Sequence, residues 1–270
     1  MIVLQENEPA LDNKLRAEAA KAPADPSDPP PDYSQVDSEN STPFASTSHP
    51  LPDIKSCNFV SLSRQNESVS GSWIIDPSMM VPPALMPPLL SNETEETRKN
   101  ILLSSHNGSV DARVYVLASQ VEPQRRNRVL IETSSKNGSV STKVHAVAST
   151  DPTKIRLPMS ISTSSANGRI RVYLPRSFRG PMIITRMNGS IRLTSALQAC
   201  VTPFSDVNHV QRSFIGHFDP TEWENDAKWT GDELTIDARN GSVNIYFIDE
   251  NDQPAPSKPK ASGFFGRFFH

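Results

Sequence analysis

The stretch "FDPTEWENDAKWTGDE" gathers the carboxylates with the most obvious chemical potential, namely Asp219, Glu222, Glu224, Asp226, Asp232 and Glu233. Clustered oxygen ligands can hold Ca²⁺, and two facing carboxylates can hydrolyse a glycosidic bond. The spacing matches neither an EF-hand loop nor the nonapeptide calcium repeats. We therefore expect a solvated acidic loop anchored by Trp223 and Trp229, and we predict no metal ligand, no cofactor site and no catalytic residue.

Other catalytic motifs are missing from the sequence. It contains no G-x-S-x-G, H-E-x-x-H, P-loop or G-x-G-x-x-G pattern. His106 and His145 have no histidine or cysteine at ligand spacing. Cys57 and Cys200 lie too far apart in sequence for a multi-cysteine zinc site. The sequence thus favours a protein without enzymatic activity. A carbohydrate-active enzyme ranks third among the functional hypotheses, after the two binding functions described below.

A short proline motif near the N-terminus predicts a protein partner. Pro30, Pro31 and Tyr33 spell P-P-x-Y within "PPPDYSQ". Consecutive prolines preset a polyproline II helix, which WW domains bind in aromatic-lined grooves. The motif resembles those that recruit WW-bearing ubiquitin ligases. The alternative is a solvated linker in which the pattern has no partner.

The C-terminal segment "SKPKASGFFGRFFH" combines aromatic and basic residues. Such a combination suits the interface of an anionic membrane or a groove on a partner. The aromatic candidates are Phe264, Phe265, Phe268 and Phe269. A tail without a ligand is the alternative.

A basic block in the middle of the chain indicates an anionic partner. Thirteen basic residues and two acidic ones lie between Arg125 and Arg192. Arg169 and Arg171 alternate with apolar residues, so both should point outward from a strand. The predicted positive face consists of Arg156, Arg169, Arg171, Arg176 and Arg179. A membrane or an acidic polymer would suit it, whereas nucleic acid is unlikely because no aromatic platform interleaves with the charges. The acidic segment 197–232 is an alternative, intramolecular partner.

Five Asn-Gly dipeptides mark the elements that must position these residues. Apolar residues alternate with polar ones on both sides of each dipeptide, as in "LIETSSKNGSVSTKVHAV", which predicts strand–turn–strand units. Asn and Gly tolerate a positive φ, which a tight turn requires. The predicted turn residues are Asn107, Gly108, Asn137, Gly138, Asn167, Gly168, Asn188, Gly189, Asn240 and Gly241.

Two arrangements of these units are compatible with the spacing. The first two intervals between the asparagines are equal, which favours a solenoid-like stack. A two-sheet sandwich of hairpins is the competing arrangement. For a hairpin in the second unit, we predict that Ile131 faces Val144 and Glu132 faces Lys143. The partial unit "ESVSGSWIIDP" starts the series, and an insertion near 197–232 interrupts it.

The chain divides by composition into three parts. Residues 1–55 are acidic and contain nine of the 24 prolines, so we predict a disordered arm. Residues 56–250 form the all-β repeat domain, and 251–270 form a flexible basic, Phe-rich tail. No apolar signal segment follows Met1 and no spanning helix is present. These features favour a cytoplasmic protein that is soluble or peripheral to a membrane.

The units, together with "GSWIIDP" and "WTGDELTIDARNGSVNIYFIDE", resemble an uncharacterised fungal family, domain of unknown function 7330. The Asn-Gly units are also similar to bacterial adhesin-type repeat domains. The resemblance implies a β-rich fold and brings no catalytic residues. Our leading hypothesis is therefore a non-catalytic scaffold or adaptor that recruits a WW-domain partner. The alternative is a peripheral binder of anionic membrane or polymer.

Overall fold

A computed structural model describes residues 51–91, 93–120, 128–222 and 229–250, which form an all-β fold of two sheets, as predicted. Sheet A contains β1 (Ser56–Cys57), β3 (Val69–Ile75), β5 (Val110–Leu117), β7 (Val140–Val147), β9 (Ile170–Leu174), β11 (Ile191–Leu193) and β15 (Val243–Phe247). Sheet B contains β2 (Val60–Arg64), β4 (Ile101–Ser105), β6 (Val129–Ser135), β8 (Met159–Ser165), β10 (Gly180–Asn188), β12 (Val201–Val207), β13 (Val210–Ile215) and β14 (Glu233–Asn240). The described residues also form a 3-10 turn, Pro83–Leu85, and a short helix, α1 (Ser195–Gln198).

Each unit contributes one strand to each sheet. The strand before the Asn lies in sheet B, and the strand after it lies in sheet A. Within the sheets, neighbouring strands run parallel, except that β13 is antiparallel to both β10 and β12. The β12–β13 hairpin belongs to the predicted insertion and extends sheet B past β10. None of the helices in the described ranges is long and apolar enough to span a membrane.

The hairpin register predicted for the second Asn-Gly unit is wrong. Ile131 pairs with Ile101 and Ile161 in sheet B, whereas Val144 pairs with Val114 in sheet A. Glu132 and Lys143 likewise lie in different sheets. The chain changes sheets at the Asn-Gly corner, so the apolar alternation of both strands faces one shared interior instead of forming cross-strand pairs.

The two sheets enclose one apolar core because inward positions repeat in register. Ile101, Ile131 and Ile161 form one such row in sheet B, and each is almost completely buried. The core also contains three threonines, Thr133, Thr142 and Thr163, whose hydroxyls bond one another at 2.7 and 3.1 Å. These bonds satisfy polar groups that would otherwise be costly to bury.

The corner asparagines form a continuous hydrogen-bonded ladder along one edge of the stack. From Asn107 onward, each amide nitrogen donates to the amide oxygen of the preceding rung, over distances of 2.7–2.9 Å. The order of the rungs is Asn66, Asn107, Asn137, Asn167, Asn240 and Asn188. Asn66 does not stand out as a corner in the sequence because it is followed by Glu67 and not by glycine. The predicted partial unit is therefore a complete first unit, formed by β2 and β3.

Close approach between corners, and not a positive φ, explains most of the corner glycines. Among the five, Gly189 alone has a positive φ, 135°. A Cβ on Gly108 would lie 2.3 Å from the carbonyl oxygen of Glu67, and one on Gly138 would lie 2.2 Å from that of Gly108. Glu67 occupies the corner at the outer end of the stack, beyond which sheet B has no further strand. A side chain is therefore tolerated there.

The last unit in sequence is not the last unit in space. Strand β14 lies between β8 and β10, and β15 lies between β9 and β11. The sixth unit thus inserts between the fourth and the fifth, and its corner at Asn240 joins those of Asn167 and Asn188. The β12–β13 hairpin occupies the position in sheet B that a further unit would otherwise take.

Candidate functional site

Two groups of predicted binding residues lie outside the described residues. Pro30, Pro31 and Tyr33 belong to the first group, and Phe264, Phe265, Phe268 and Phe269 to the second. Glu224 and Asp226 of the acidic stretch, and Trp223, lie outside them as well. These predictions stay predictions.

Two of the five predicted surface arginines are held by acids of the insertion. Arg156 Nη2 lies 2.6 Å from a carboxylate oxygen of Asp232. Arg179 binds both oxygens of Glu222, at 3.0 and 2.7 Å. These hydrogen bonds, which Arg179 donates to Glu222, raise the pKa of Arg179 against the opposing effect of desolvation. For these two arginines the partner is therefore the acidic segment 197–232 of the same chain, which was the intramolecular alternative.

Arg169 and Arg176, at the ends of β9, differ in their contacts. Arg176 Nε lies 2.9 Å from Asp249, and its guanidinium carbon lies 4.2 Å from the centroid of the Phe247 ring. Arg169 donates to the hydroxyl of Ser242 at 3.2 Å and forms no ion pair with a described residue. The predicted positive face is thus divided, since three of its five cations are neutralised locally.

Asp232 organises the end of the stack where the insertion returns. Its carboxylate is 2% exposed and accepts hydrogen bonds from Arg156 and from the backbone amides of Met159 and Arg179, at 2.6, 2.8 and 3.0 Å. Nearby, Arg128 donates to the carbonyl oxygens of Trp229 and Gly231. These bonds fasten the segment after the hairpin onto β6, β8 and β10.

A cleft of about 440 Å³ at this end contains two carboxylates, those of Glu222 and Asp232. Each is paired with an arginine, and the Asp232 oxygens already accept three hydrogen bonds. Asp219 bonds the backbone and hydroxyl of Thr221, which lowers its pKa. Among the described residues, no three His, Cys, Asp or Glu side chains converge as a metal site. The geometry therefore offers no unpaired acid for glycoside chemistry in this cleft.

Cysteine chemistry has no support either. Cys57 is half-buried, and its burial raises the pKa of the thiol above its usual value. Its sulfur contacts the carbonyl oxygen of Ile74 at 3.4 Å. A neutral thiol in such surroundings is a poor nucleophile, so this residue acts as part of the packing at the first unit.

The outer face of sheet A carries an unneutralised group of cations. Its seven strands contain four basic side chains and one acid, Asp111, whereas the strands of sheet B contain four basic and four acidic residues. We name the four cations of sheet A, which are Arg113, Lys143, Arg171 and Arg192, the cationic band. None of the four forms an ion pair with any described residue.

The register of the parallel strands places the cationic band in two adjacent outward rows of sheet A, two residues apart. Arg113 on β5 pairs with Lys143 on β7. Arg171 on β9 and Arg192 on β11 both pair with Asn244 on β15, one on each side. The band thus crosses five neighbouring strands, which at about 4.8 Å per strand gives a length of roughly 19 Å.

Arg113 and Lys143 form a like-charge pair in adjacent positions. Such a pair is destabilising when no acid offsets it. The next residues in the same row are Ser72 on one side and Tyr173 on the other, and neither carries a negative charge. The Lys143 nitrogen lies 4.9 Å from the centroid of the Tyr173 ring, which supplies a weak cation–π contact.

Aromatic rings accompany the cationic band but present little of their faces to solvent. The rings of Tyr115 and His145 stack with centroids 4.4 Å apart, and those of Tyr173 and Tyr246 stack at 4.8 Å. Tyr115 and Tyr173 are buried among their neighbours. Since the faces stack on one another, this surface offers charge and hydroxyl groups in preference to a platform for sugar rings or bases.

Sequence reasoning found Arg171 but missed the other three members of the cationic band. The signal was present in the 30-residue interval between corners, because Arg113, Lys143 and Tyr173 occupy equivalent positions in three successive units. Only a parallel stack brings those positions together. The hairpin register that we considered instead sends Lys143 toward Glu132.

Comparison with known proteins identifies the family alone. The family model for the domain of unknown function DUF7330 matches residues 58–250. The searches of curated proteins and of solved structures gave no match. The family match covers most of the chain and spans all six units, from β2 to β15. The chain therefore belongs to the DUF7330 family.

Proposed function

We propose that this chain is a non-catalytic, solenoid-like repeat scaffold whose cationic band binds a linear polyanion, such as an acidic polysaccharide. The observation that carries the proposal is the charge separation between the sheets. Sheet A holds four cations without an ion pair to any described residue, whereas the charges of sheet B balance. Arg113 beside Lys143 is a like-charge pair, and a bound anion would relieve its repulsion.

The shape of the band favours a polymer. It is about 19 Å long, since it crosses five strands. Its cations occupy two adjacent outward rows, with Arg113 beside Lys143 in one row and Arg171 and Arg192 on either side of Asn244 in the other. A chain of sulfate or carboxylate groups lying across the strands would meet cations of both rows. Three of the four are arginines, whose planar guanidinium groups pair with oxyanions in a bidentate geometry.

The stacked tyrosines argue against two other ligand classes. Neutral glycans and single-stranded nucleic acids gain much of their affinity from stacking on exposed aromatic faces. Here the Tyr173 and Tyr246 rings stack on each other, and Tyr173 is 3% exposed. Affinity should therefore come from charge and fall steeply as the salt concentration rises.

The test compares two double variants that remove the same charge. Arg113→Ser with Lys143→Ser removes half of the band, and Ser72 shows that serine fits this row. Binding to dextran sulfate should weaken roughly tenfold or more, because each cation near an anionic surface contributes about 1 kcal/mol. Isothermal titration calorimetry at low salt measures the change. Thermal stability should stay equal or rise slightly, since a like-charge pair is lost.

The matched control is Arg64→Ser with Arg176→Ser. Both of these arginines are exposed and already pair with acids, Glu67 and Asp249. Equal weakening in the two double variants would show that net charge alone drives binding and would refute a site on sheet A. Binding to anionic vesicles that is lost only when residues 264–269 are removed would assign the anionic surface to the tail instead.

Recruitment of a WW-domain protein, such as a ubiquitin ligase, is a second proposed function, favoured by the P-P-x-Y sequence. We expect Tyr33→Ala to abolish binding of the full chain to a panel of WW domains, because the groove requires the tyrosine ring next to the proline helix. Ser34→Ala is the control and should bind as the original chain does. Binding that survives in the Tyr33 variant would remove this proposal and leave the polyanion proposal unaffected.

A further inference from the structure

The two ends of the asparagine ladder are chemically different. Asn66 is followed by Glu67, whereas Asn188 is followed by Gly189. The Asn188 amide nitrogen donates to Asn240 at 2.9 Å, but no described residue donates to the Asn188 amide oxygen. Residues 187–190 are all exposed. Asn188 therefore lacks one of the two side-chain hydrogen bonds that each interior asparagine of the ladder forms.

The Asn-Gly sequence is the substrate of a spontaneous reaction. The glycine nitrogen loses its proton to hydroxide and attacks the asparagine Cγ. A new N–Cγ bond closes a succinimide ring, the Cγ–Nδ2 bond breaks, and ammonia leaves. Water then opens the ring to aspartate or isoaspartate. Glycine permits the attack because it carries no Cβ that would block it, so all five Asn-Gly corners are susceptible when the chain is unfolded.

The ladder opposes this reaction at the interior corners. The ring cannot close until the side-chain amide rotates out of the ladder, which breaks a hydrogen bond on each side. For Asn137 these bonds are 2.7 Å to Asn107 and 2.9 Å from Asn167. The glycine amide is held as well, since Gly138 N donates to the Ser135 hydroxyl at 2.8 Å. Gly108 N has the equivalent bond to Ser105.

Asn167 provides an internal comparison for Asn188. Neither Gly168 N nor Gly189 N donates a hydrogen bond to a described residue. The Asn167 side chain, however, is bonded on both sides, to Asn137 and from Asn240, at 2.9 Å each. In side-chain hydrogen bonding the two corners differ by the one bond that Asn188 lacks, and in backbone conformation by the positive φ of Gly189.

We infer that Asn188 is the deamidation site of the folded protein and that the asparagine ladder protects the other four Asn-Gly corners. Deamidation there removes the donor to Asn240. An isoaspartate would also add a backbone methylene where the fifth unit meets the sixth. The reaction thus loosens the terminal unit first.

The test is peptide mass spectrometry of the full chain aged in mildly alkaline buffer. Deamidation at Asn188 should be roughly fivefold faster than at Asn167, the ratio that one net hydrogen bond supports. The ratio should be larger for Asn107 and Asn137, because the amides of the glycines that follow them are also hydrogen-bonded. In strong denaturant the five corners should react at similar rates, which separates protection by the fold from effects of local sequence.

A ladder variant gives a second readout. Asn137→Ala removes the donor to the Asn107 oxygen and the acceptor of the Asn167 nitrogen, so deamidation at both should accelerate while Asn188 keeps its rate. Circular dichroism would verify that this variant remains folded. Equal rates at Asn188 and Asn167 in the original chain, or unchanged rates at Asn107 and Asn167 in the variant, would overturn the inference.

Discussion

Replacing Gly138 with alanine is expected to destabilise the whole two-sheet fold. The new Cβ would lie 2.2 Å from the carbonyl oxygen of Gly108, which is a backbone atom fixed by the neighbouring corner. Two corners must then separate, and the ladder bond between Asn107 and Asn137 stretches with them. We expect a loss of about 3 kcal/mol or more, at the upper end of overpacking costs, and a Tm lower by roughly 10 °C for a domain of this size.

The matched control is Glu67→Ala, which places alanine at the equivalent corner of the first unit. A side chain is already accommodated there, so stability should stay within about 0.5 kcal/mol. Differential scanning calorimetry on both variants measures the contrast. If the Gly138→Ala variant has the same Tm as the control, the corners do not approach each other closely enough to exclude a Cβ.

The second large effect is expected for Asp232→Asn. The substitution keeps the shape but removes the charge that balances Arg156, and it places amide hydrogens near the backbone amides of Met159 and Arg179. Breaking a buried ion pair by changing one partner costs about 3–5 kcal/mol. We expect a loss of that order in chemical denaturation.

Asp249→Asn serves as the comparison because Asp249 also pairs with an arginine, at 2.9 Å, but in a solvent-exposed position. Surface pairs contribute about 0–1 kcal/mol, so this variant should unfold nearly as the original chain does. Equal losses in the two variants would contradict a structural role for the buried carboxylate. Urea titration followed by circular dichroism resolves differences of this size.

Local sequence patterns predicted the elements of the fold well. Alternation around each Asn-Gly placed the strands, since a strand with one buried face requires apolar residues at every second position. The same alternation does not say which strand lies next to which, because period two fits a hairpin and a parallel stack equally well. The predicted pairing of Ile131 with Val144 failed for that reason.

Long-range order was not accessible from the sequence. The sixth unit inserts between the fourth and fifth, and nothing in the corner sequences at Asn188 and Asn240 encodes that order. The spacing of 52 residues between those corners showed an insertion, but not that the chain returns to an earlier place in the stack. Contacts between elements distant in sequence, such as β8 with β14, decide the topology.

The sequence predicted a positively charged site but not which residues form it. The basic block indicated a positive surface, yet Arg156 and Arg179 are paired with acids that follow them by 76 and 43 residues. Charge counts along the chain do not reveal such pairs. Conversely, Arg113 and Arg192 lie near or beyond the edges of the block, and the parallel register brings them into the cationic band.

Protection of Lys143 from chemical acetylation tests the central claim most directly. Lys143 lies within the cationic band, whereas Lys99 lies away from it and pairs with Glu132 of sheet B at 3.6 Å. With saturating dextran sulfate, acetylation should slow several-fold at Lys143 and stay unchanged at Lys99, as measured by mass spectrometry of the full chain. If both lysines are protected equally, or Lys143 is not protected at all, the polyanion does not bind the outer face of sheet A.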